Sequence, residues 1–226
     1  MCGRYSLVTS AKKIEAQFGK VTIKQTLPDN YNLAPTQKGY VITNQAPDVV
    51  ESFSWGLVPF WSKDGKNTGR LINARAEGIA AKPSFRIPIR KRRCLVLADS
   101  FYEWKRIEGK KQPFRILLPD EKLLVFAGIW DIWKQDNQIQ TTFSIITTTP
   151  NKEMEDIHNR MPVILAKEED QKNWLIEEDL DNILMLLQSA PDDTLQLYAS
   201  NPRVNSVRNN GADLHQAYEA PPSLFD

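Results

Sequence analysis

Short apolar runs bounded by Gly, Pro, Asp or Asn recur along most of the chain, and this pattern limits the available folds more than any other feature. The runs are GYVIT, VVESFSW, RCLVLA, FYEWKRI, PFRILL, LLVFAGIW, TTFSIIT, PVIL and LQLYAS. Most are rich in Val, Ile, Phe and Thr, which favour the pleated, half-buried surface of a sheet. The pattern predicts a core dominated by β-strands.

Three segments have helical spacing instead. AKKIEAQF predicts a helix over about 11–18, which ends before Gly19. Charged residues surround Trp174 and Leu175 in a second helix over about 167–175, and DLDNILMLLQ predicts a third over about 179–188. The chain has 226 residues and shows no internal repeat or linker, so we expect one domain with these helices on the sheet periphery.

Composition excludes several classes of protein. The sequence has neither an apolar run of about 20 residues nor a secretory leader, so we expect a cytoplasmic protein without a membrane span. The two cysteines, Cys2 and Cys94, are too few for a disulfide framework or a thiolate zinc site. Cys94, in RCLVLA, is predicted to be a buried strand residue. With only two histidines, His158 and His215, we expect no metal and no cofactor.

Charge is distributed unevenly along the chain. Residues 151–226 hold 6 Lys+Arg and 15 Asp+Glu, a net of −9, which leaves 23 and 13, a net of +10, in residues 1–150. A basic half of this kind suits an acidic polymer such as DNA. Its densest basic stretch, RIPIRKRR, is by itself a weak signal, because short basic runs are usually solvated edges.

The position of Cys2 is chemically unusual. Removal of the leading methionine would give this residue a free α-amine, with a reference pKa of about 8, beside a thiol with one of about 8.5. Both groups are then usable nucleophiles. The alternative is that Cys2 is a small apolar residue at the entrance to a strand.

Three further stretches carry candidate chemistry. FYEW places Glu103 on the strand face opposite its aromatic neighbours, where an enclosed carboxyl group could donate a proton. INARAE presents Asn73, Arg75 and Glu77 at strand alternation, and HNRMP places His158 at the entrance to a strand. Each stretch has an ordinary structural alternative. Glu103 could be a surface carboxylate, the INARAE side chains could form the solvent-facing side of a sheet, and His158 could be a structural histidine. His215, in a polar C-terminal stretch, is predicted to be structural.

Taken together and in this order, MCGR, WGLVPFW, NARAE, FYEW and HNRMP resemble the SOS-response-associated peptidase (SRAP) family. YNLAPTQ early and VNSVRNNG late extend the resemblance, so we predict an SRAP-like domain over 2–211 and a C-terminal tail over 212–226. The resemblance implies a single β-rich α+β domain, in which peripheral helices surround a central twisted, barrel-like antiparallel sheet.

The same resemblance implies covalent capture of abasic sites in single-stranded DNA through a thiazolidine at Cys2. Asn73, Glu103 and His158 are then the other catalytic positions. Removal of Met1 by the protein itself and a lyase activity also follow from it. The implied DNA contacts are Arg4, Arg75, Arg86 and Arg160 on phosphates, with Trp61 against a base. Trp55 and Phe60 are instead predicted to be core residues. The expected partner is single-stranded DNA in the nucleoid, bound by a monomer.

Two other functions compete with this one. Glutamine amidotransferases also begin Met-Cys-Gly, and in such an amidohydrolase the α-amine of Cys2 would act as a base. That alternative leaves NARAE, FYEW and HNRMP without a role. In the other alternative the basic half binds DNA without catalysis and Cys2 is incidental.

Overall fold

The protein is described by a computed structural model that covers residues 2–66, 69–119 and 122–219. The strands in these residues are β1 (Tyr5–Leu7), β2 (Thr22–Ile23), β3 (Asn30–Leu33), β4 (Lys38–Thr43), β5 (Ala46–Trp55), β6 (Asn73–Arg75), β7 (Arg93–Ala98), β8 (Ser100–Ile107), β9 (Lys110–Leu117), β10 (Leu124–Gln135), β11 (Gln138–Thr148), β12 (Met161–Pro162) and β13 (Gln196–Ala199). The predicted β-rich core is confirmed.

Five of these strands close into a barrel. Antiparallel pairing runs from β5 through β4, β7 and β10 to β11. A parallel pairing of β11 with β5, which aligns Phe143 with Trp55, then completes the ring. Closure removes the exposed edges that an open sheet would present. The expected barrel is therefore present, but β2 and β6 also pair in parallel with their neighbours, so the sheet is not wholly antiparallel as predicted.

A second sheet has the order β13-β9-β8-β1-β3. In it β1 pairs with β8, and Tyr5 lies opposite Phe101. Aromatic rings join the two sheets, because Tyr5 packs against Trp55 and Phe126 at ring-centroid distances of 5.1 and 6.3 Å. The pairing of β1 with β8 brings the segment that follows Cys2 beside the strand that carries Glu103.

The helices lie outside the barrel. They are α1 (Ala11–Phe18), α2 (Pro88–Lys91), α3 (Lys152–Glu155), α4 (Glu168–Ile176) and α5 (Leu180–Met185). Three of the five correspond to the predicted segments, while α2 and α3 were not predicted and the third predicted helix is shorter than expected. The Ser10 hydroxyl accepts the first-turn amide of α1, and Gly19, with φ of 72°, ends this helix in a conformation that other residues rarely adopt. No helix in the described parts of the chain is long and apolar enough to cross a membrane.

The described part of the predicted C-terminal tail packs on the domain. A 3₁₀ turn, Ala212–His215, buries Leu214, and Ala217 forms a bridge with Ser200. Burial, and then the positive charges of Arg115 and Lys13, lower the pKa of His215 to about 3. This histidine is therefore neutral at physiological pH. Residues 220–226 of the predicted tail lie outside the described residues.

Candidate active site

A cavity of about 600 Å³ opens beside the outer half of β8. Its walls come from β8 and β9, from the segment between α3 and β12, and from the 3₁₀ turn Pro202–Asn205. The lining residues are Glu103, Trp104, Arg106, Lys111, His158 and Asn205. Two of the four predicted catalytic residues, Glu103 and His158, thus share one cavity, although they are 55 positions apart in the sequence.

Glu103 is buried, with 3% of its surface exposed. Tyr102, its neighbour on the other strand face, packs with Val204 and Leu214 in a small separate apolar cluster. Strand alternation places Glu103 on the face opposite Tyr102, and of the two alternatives for FYEW the structure has the enclosed one. A carboxyl group in this position can exchange protons with a substrate that enters the cavity.

Cys2 is fully buried at the start of the chain segment that leads into β1. Burial raises the pKa of its thiol well above the ordinary range, and the negative charge of Glu103 raises it further. Cys2 and Glu103 are thus close enough to interact electrostatically. The thiol is protonated at neutral pH and requires a base before it can react as a thiolate.

Asn73 holds the backbone of Cys2. Its amide Nδ2 donates a hydrogen bond of 2.7 Å to the Cys2 carbonyl oxygen. The position of Asn73 is set by the parallel pairing of β6 with β11, in which it aligns with Ile145. Its Oδ1 is buried and accepts no hydrogen bond from the described residues, so it can accept one from a bound hydroxyl or amine.

The ring of His158 is oriented by the backbone two residues later. The Arg160 amide donates to His158 Nδ1 at 3.0 Å. In the neutral ring the proton is then on Nε2, which leaves a hydrogen-bond donor on the other side of the imidazole. This assignment suits a histidine that donates a hydrogen bond to an oxygen in the cavity.

The residues expected to contact DNA fall into two groups. Arg75 and Arg86 have exposed side chains, and 54% of the Trp61 surface is exposed. Arg4 instead donates to Asn32 Oδ1 at 2.7 Å and to the Val204 carbonyl at 2.9 Å. Arg4 therefore ties β1 to β3 and to a neighbouring 3₁₀ turn.

Arg160 is engaged in a two-point ion pair. Its Nη1 and Nη2 donate to the two carboxylate oxygens of Glu77 at 2.6 and 2.9 Å, and Nη2 also donates to the Thr147 carbonyl at 2.5 Å. The guanidinium lowers the pKa of Glu77 chiefly through these hydrogen bonds. A phosphate that binds Arg160 must therefore compete with a carboxylate.

Two interpretations of the aromatic motif WGLVPFW differ in outcome. Trp55 is fully buried, as predicted, and its indole nitrogen donates to the Ile72 carbonyl at 2.9 Å. The prediction that Phe60 is a core residue is wrong, since 49% of its surface is exposed. The backbone amide of Phe60 donates to Asp131 and fixes the turn, which directs the Phe60 ring outward beside Trp61.

The basic run RIPIRKRR is divided between the interior and the surface. Arg93 is buried and donates to the carbonyls of Trp174 and Ile89 at 2.7 and 3.1 Å. Arg92 forms an ion pair with the buried Asp131. Two of the five basic residues in this run are therefore engaged inside the fold, and the other three are exposed.

The cavity contains four residues that sequence reasoning did not assign to the site, namely Trp104, Arg106, Lys111 and Asn205. Arg106 lies directly opposite Lys111 in the β8–β9 hairpin. The basic composition of WKRIEGKK could have identified this hairpin. Within the described residues, no group of three or more His, Cys, Asp or Glu side chains is arranged to hold a metal ion.

Similar proteins come from bacteria and from animals. The chain is 42% identical to the abasic site processing protein YoqW of Bacillus subtilis (strain 168), in an alignment that covers 96% of this chain and 100% of that protein. It is 31% identical to the abasic site processing protein HMCES of Mus musculus, with coverage of 93% and 74%.

Solved structures have the same fold. A Bacteroides thetaiotaomicron protein superimposes with a TM-score of 0.86 at 31% identity, over 96% of this chain and 100% of that one. The family model described as SOS response associated peptidase (SRAP) matches residues 1–207. This match spans both sheets and every residue of the cavity, and the chain belongs to the SOS response associated peptidase family.

Proposed function

We propose that this protein processes abasic sites in single-stranded DNA by covalent capture on Cys2. The observation that carries the proposal is the grouping of four side chains. Asn73 holds the Cys2 backbone, the charge of Glu103 acts on the Cys2 thiol, and Glu103 shares its cavity with His158. Relatives at 42% and 31% identity are named abasic site processing proteins, which supports the same substrate here.

The first chemical step is opening of the abasic sugar. An abasic deoxyribose exists as a closed hemiacetal and as an open aldehyde, and only the aldehyde accepts an amine. His158 would donate a hydrogen bond to the ring oxygen, which stabilises the negative charge that develops there as the ring C–O bond breaks, and so favour opening. Its Nε2 suits this role, because the Arg160 amide already occupies Nδ1.

The second step joins Cys2 to the sugar. The α-amine adds to the aldehyde carbon, and the resulting carbinolamine loses water to form an imine, with Glu103 supplying and recovering the proton. The thiol sulfur then adds to the imine carbon, and its proton is transferred to the nitrogen. The product is a five-membered thiazolidine, and one water is released. Because amine and thiol belong to one residue, this closure is intramolecular and gains a high effective concentration.

The environment of the thiol supports this order of steps. Burial keeps the Cys2 thiol protonated, so the amine is the better first nucleophile at neutral pH. The thiol reacts once the imine, a stronger electrophile, has formed beside it. Glu103, whose charge already acts on the thiol, would relay the thiol proton to the nitrogen during that attack.

Met1 must be removed before this chemistry can begin. While the Met1–Cys2 peptide bond is intact, the Cys2 nitrogen is an amide whose lone pair is delocalised. Met1 lies outside the described residues. We propose that the protein removes it in the same cavity. A form that retains Met1 has only its thiol and would give a reversible hemithioacetal. Intact mass spectrometry before and after incubation with abasic DNA tests this, because a stable adduct on chains that keep Met1 would eliminate the amine as nucleophile.

Substitution of Cys2 tests the mechanism as a whole. Cys2→Ala should abolish the heat-stable adduct with abasic single-stranded DNA in denaturing electrophoresis, and Cys2→Ser should leave only a labile imine. Cys94→Ala is the matched control, since Cys94 is the other cysteine and is buried in β7. An undiminished stable adduct in Cys2→Ala would refute the thiazolidine. Glutaminase activity that depends on Cys2, without an adduct in the wild type, would favour the amidohydrolase.

The proposal extends to how the strand is held. Exposed Trp61 is suited to stack on a base, and the exposed Arg75 and Arg86 side chains are suited to phosphates. Arg160 becomes a further phosphate ligand once Glu77 is displaced, and Arg4 would contribute only by giving up one of its internal bonds. We further propose a monomer that acts on nucleoid DNA in the cytoplasm. Light scattering of the free and DNA-bound protein tests the monomer.

A further inference from the structure

The β8–β9 hairpin places two positive charges directly opposite each other. Arg106 and Lys111 are cross-strand partners, and the turn between their strands contains Glu108 and Gly109, both with positive φ. Like charges at such positions repel and weaken the pairing of the strands. Both side chains are exposed, and an anion bound beside them would relieve the repulsion.

Neither charge is neutralised by a described residue. No hydrogen bond or ion pair joins the Arg106 or Lys111 side chain to another described residue, whereas neighbouring Lys105 lies 3.8 Å from a carboxylate oxygen of Asp156. Both Arg106 and Lys111 line the cavity that contains Glu103 and His158. The two unneutralised cations thus form part of the wall of the candidate active site.

The wall around them is held in place. Trp104 lies on the same strand face as Arg106, and its indole nitrogen donates to Asn205 Oδ1 at 2.6 Å. Arg106 lies three positions after Glu103, which corresponds to about 10 Å along the strand. The cations therefore lie to one side of the proposed reaction centre rather than on it.

We infer that Arg106 and Lys111 bind the DNA phosphates on one flank of the abasic nucleotide, an inference that rests on the proposed function of this cavity. The ligand is a phosphodiester because it must be anionic, must continue from a sugar placed at Glu103 and His158, and must reach two adjacent cations. These contacts carry no base information, so they hold the strand without selecting its sequence.

Charge removal tests the inference. The double variant Arg106→Gln/Lys111→Gln is compared with Lys12→Gln/Lys20→Gln, which removes two exposed charges near α1. Binding is measured by fluorescence anisotropy with an oligonucleotide that carries a tetrahydrofuran abasic analogue, which has no aldehyde and cannot be captured. The hairpin variant should bind about tenfold more weakly at low salt, and its log–log salt slope should fall by about 1.4, or about 0.7 per lost phosphate contact on a single strand. The control should match the wild type.

Truncated oligonucleotides locate the contact. The deficit of the hairpin variant should disappear when the nucleotides on one side of the lesion are removed and persist when the other side is removed. A salt slope equal to that of the wild type, or a deficit that is the same with either truncation, would overturn the inference. The swap Arg106→Lys/Lys111→Arg should retain the wild-type slope. If the swap variant loses as much binding affinity as the hairpin variant, packing and not charge is responsible.

The capture assay separates this inference from the proposed function. If the wild-type protein captures natural abasic DNA and the hairpin variant binds DNA with wild-type affinity, only the phosphate contact is refuted. If the wild-type protein forms no adduct, but the hairpin variant shows the charge-dependent binding deficit on one side of the lesion, only the covalent mechanism is refuted. The midpoint temperature of thermal unfolding should be at least as high for the hairpin variant as for the wild type, because a repulsive pair has been removed.

Discussion

The packing of Tyr5 against Gly39 predicts a substitution that disrupts the site from a distance. A methyl group added at Gly39 would overlap the Tyr5 hydroxyl oxygen and would lie 3.3 Å from the Tyr5 ring carbon that bears it. Tyr5 is fully buried against Trp55 and Phe126, so its ring cannot retreat. Overpacking a core of this kind costs about 1–3 kcal/mol. We expect Gly39→Ala to lower the free energy of unfolding by about 3 kcal/mol.

Removing the Tyr5 hydroxyl should recover most of the lost free energy of unfolding. The Tyr5 hydroxyl is buried and makes no hydrogen bond with the described residues, so Tyr5→Phe alone should be neutral or stabilising by about 1 kcal/mol. With the oxygen gone, the closest atoms to the new methyl are ring carbons of residue 5 and Phe143 at 3.3 and 3.4 Å, a tight but tolerable contact. The double variant should therefore show a coupling energy of about 2 kcal/mol.

Urea unfolding of the wild type, the two single variants and the double variant measures this double-mutant cycle. Equal m-values check that each protein unfolds in two states. The capture rate should follow the same pattern, because Tyr5 lies three residues after Cys2 and pairs with Phe101 on the strand of Glu103. A Gly39→Ala protein within about 0.5 kcal/mol of the wild type, or additive effects in the double variant, would refute the reasoning.

Four further outcomes are expected. Arg75→Ala should reduce the log–log salt slope of single-strand binding by about 0.7, and an unchanged slope would exclude a phosphate contact. Glu77→Gln should tighten DNA binding about two- to fivefold in anisotropy titrations, because it weakens an exposed competitor for Arg160 worth about 0.3–1 kcal/mol; weaker binding would contradict competition. Burial raises the pKa of Asp99 to about 6 from an ordinary 3.8, so the folded state binds this proton more tightly and stability falls as pH rises from about 4 to 6. Asp99→Asn should flatten that slope in urea titrations, and a slope that persists would assign it to other groups. Trp61→Ala should weaken single-strand binding by about 1–3 kcal/mol in fluorescence titrations, and binding of wild-type strength would exclude a stacked base.

Local features of the chain were readable from its sequence. The helix at Ala11–Phe18 lies where its apolar spacing predicts and ends at Gly19 as expected, because a terminating glycine acts within one turn. The strands followed from runs of β-branched and aromatic residues. The placement of Glu103 on the strand face opposite Tyr102 also followed from alternation, but whether that face is enclosed or exposed was left open by the sequence. The family motifs named Cys2, Asn73 and His158 for the same reason, as each motif is a short continuous segment.

Long-range pairings were not readable in this way. The barrel closes through a parallel contact of β5 with β11, about 90 residues apart, and no local periodicity specifies which distant edge a strand will meet. The same limit applies to charge. Arg92 and Arg93 look like a DNA-binding run, yet one meets buried Asp131 and the other meets helix carbonyls. Arg106 and Lys111 belong to a basic stretch of the sequence, but only the hairpin register makes them neighbours at the cavity wall. Composition determines how many charges a chain has, but whether a charge is neutralised depends on which distant groups the fold places within hydrogen-bond distance of it.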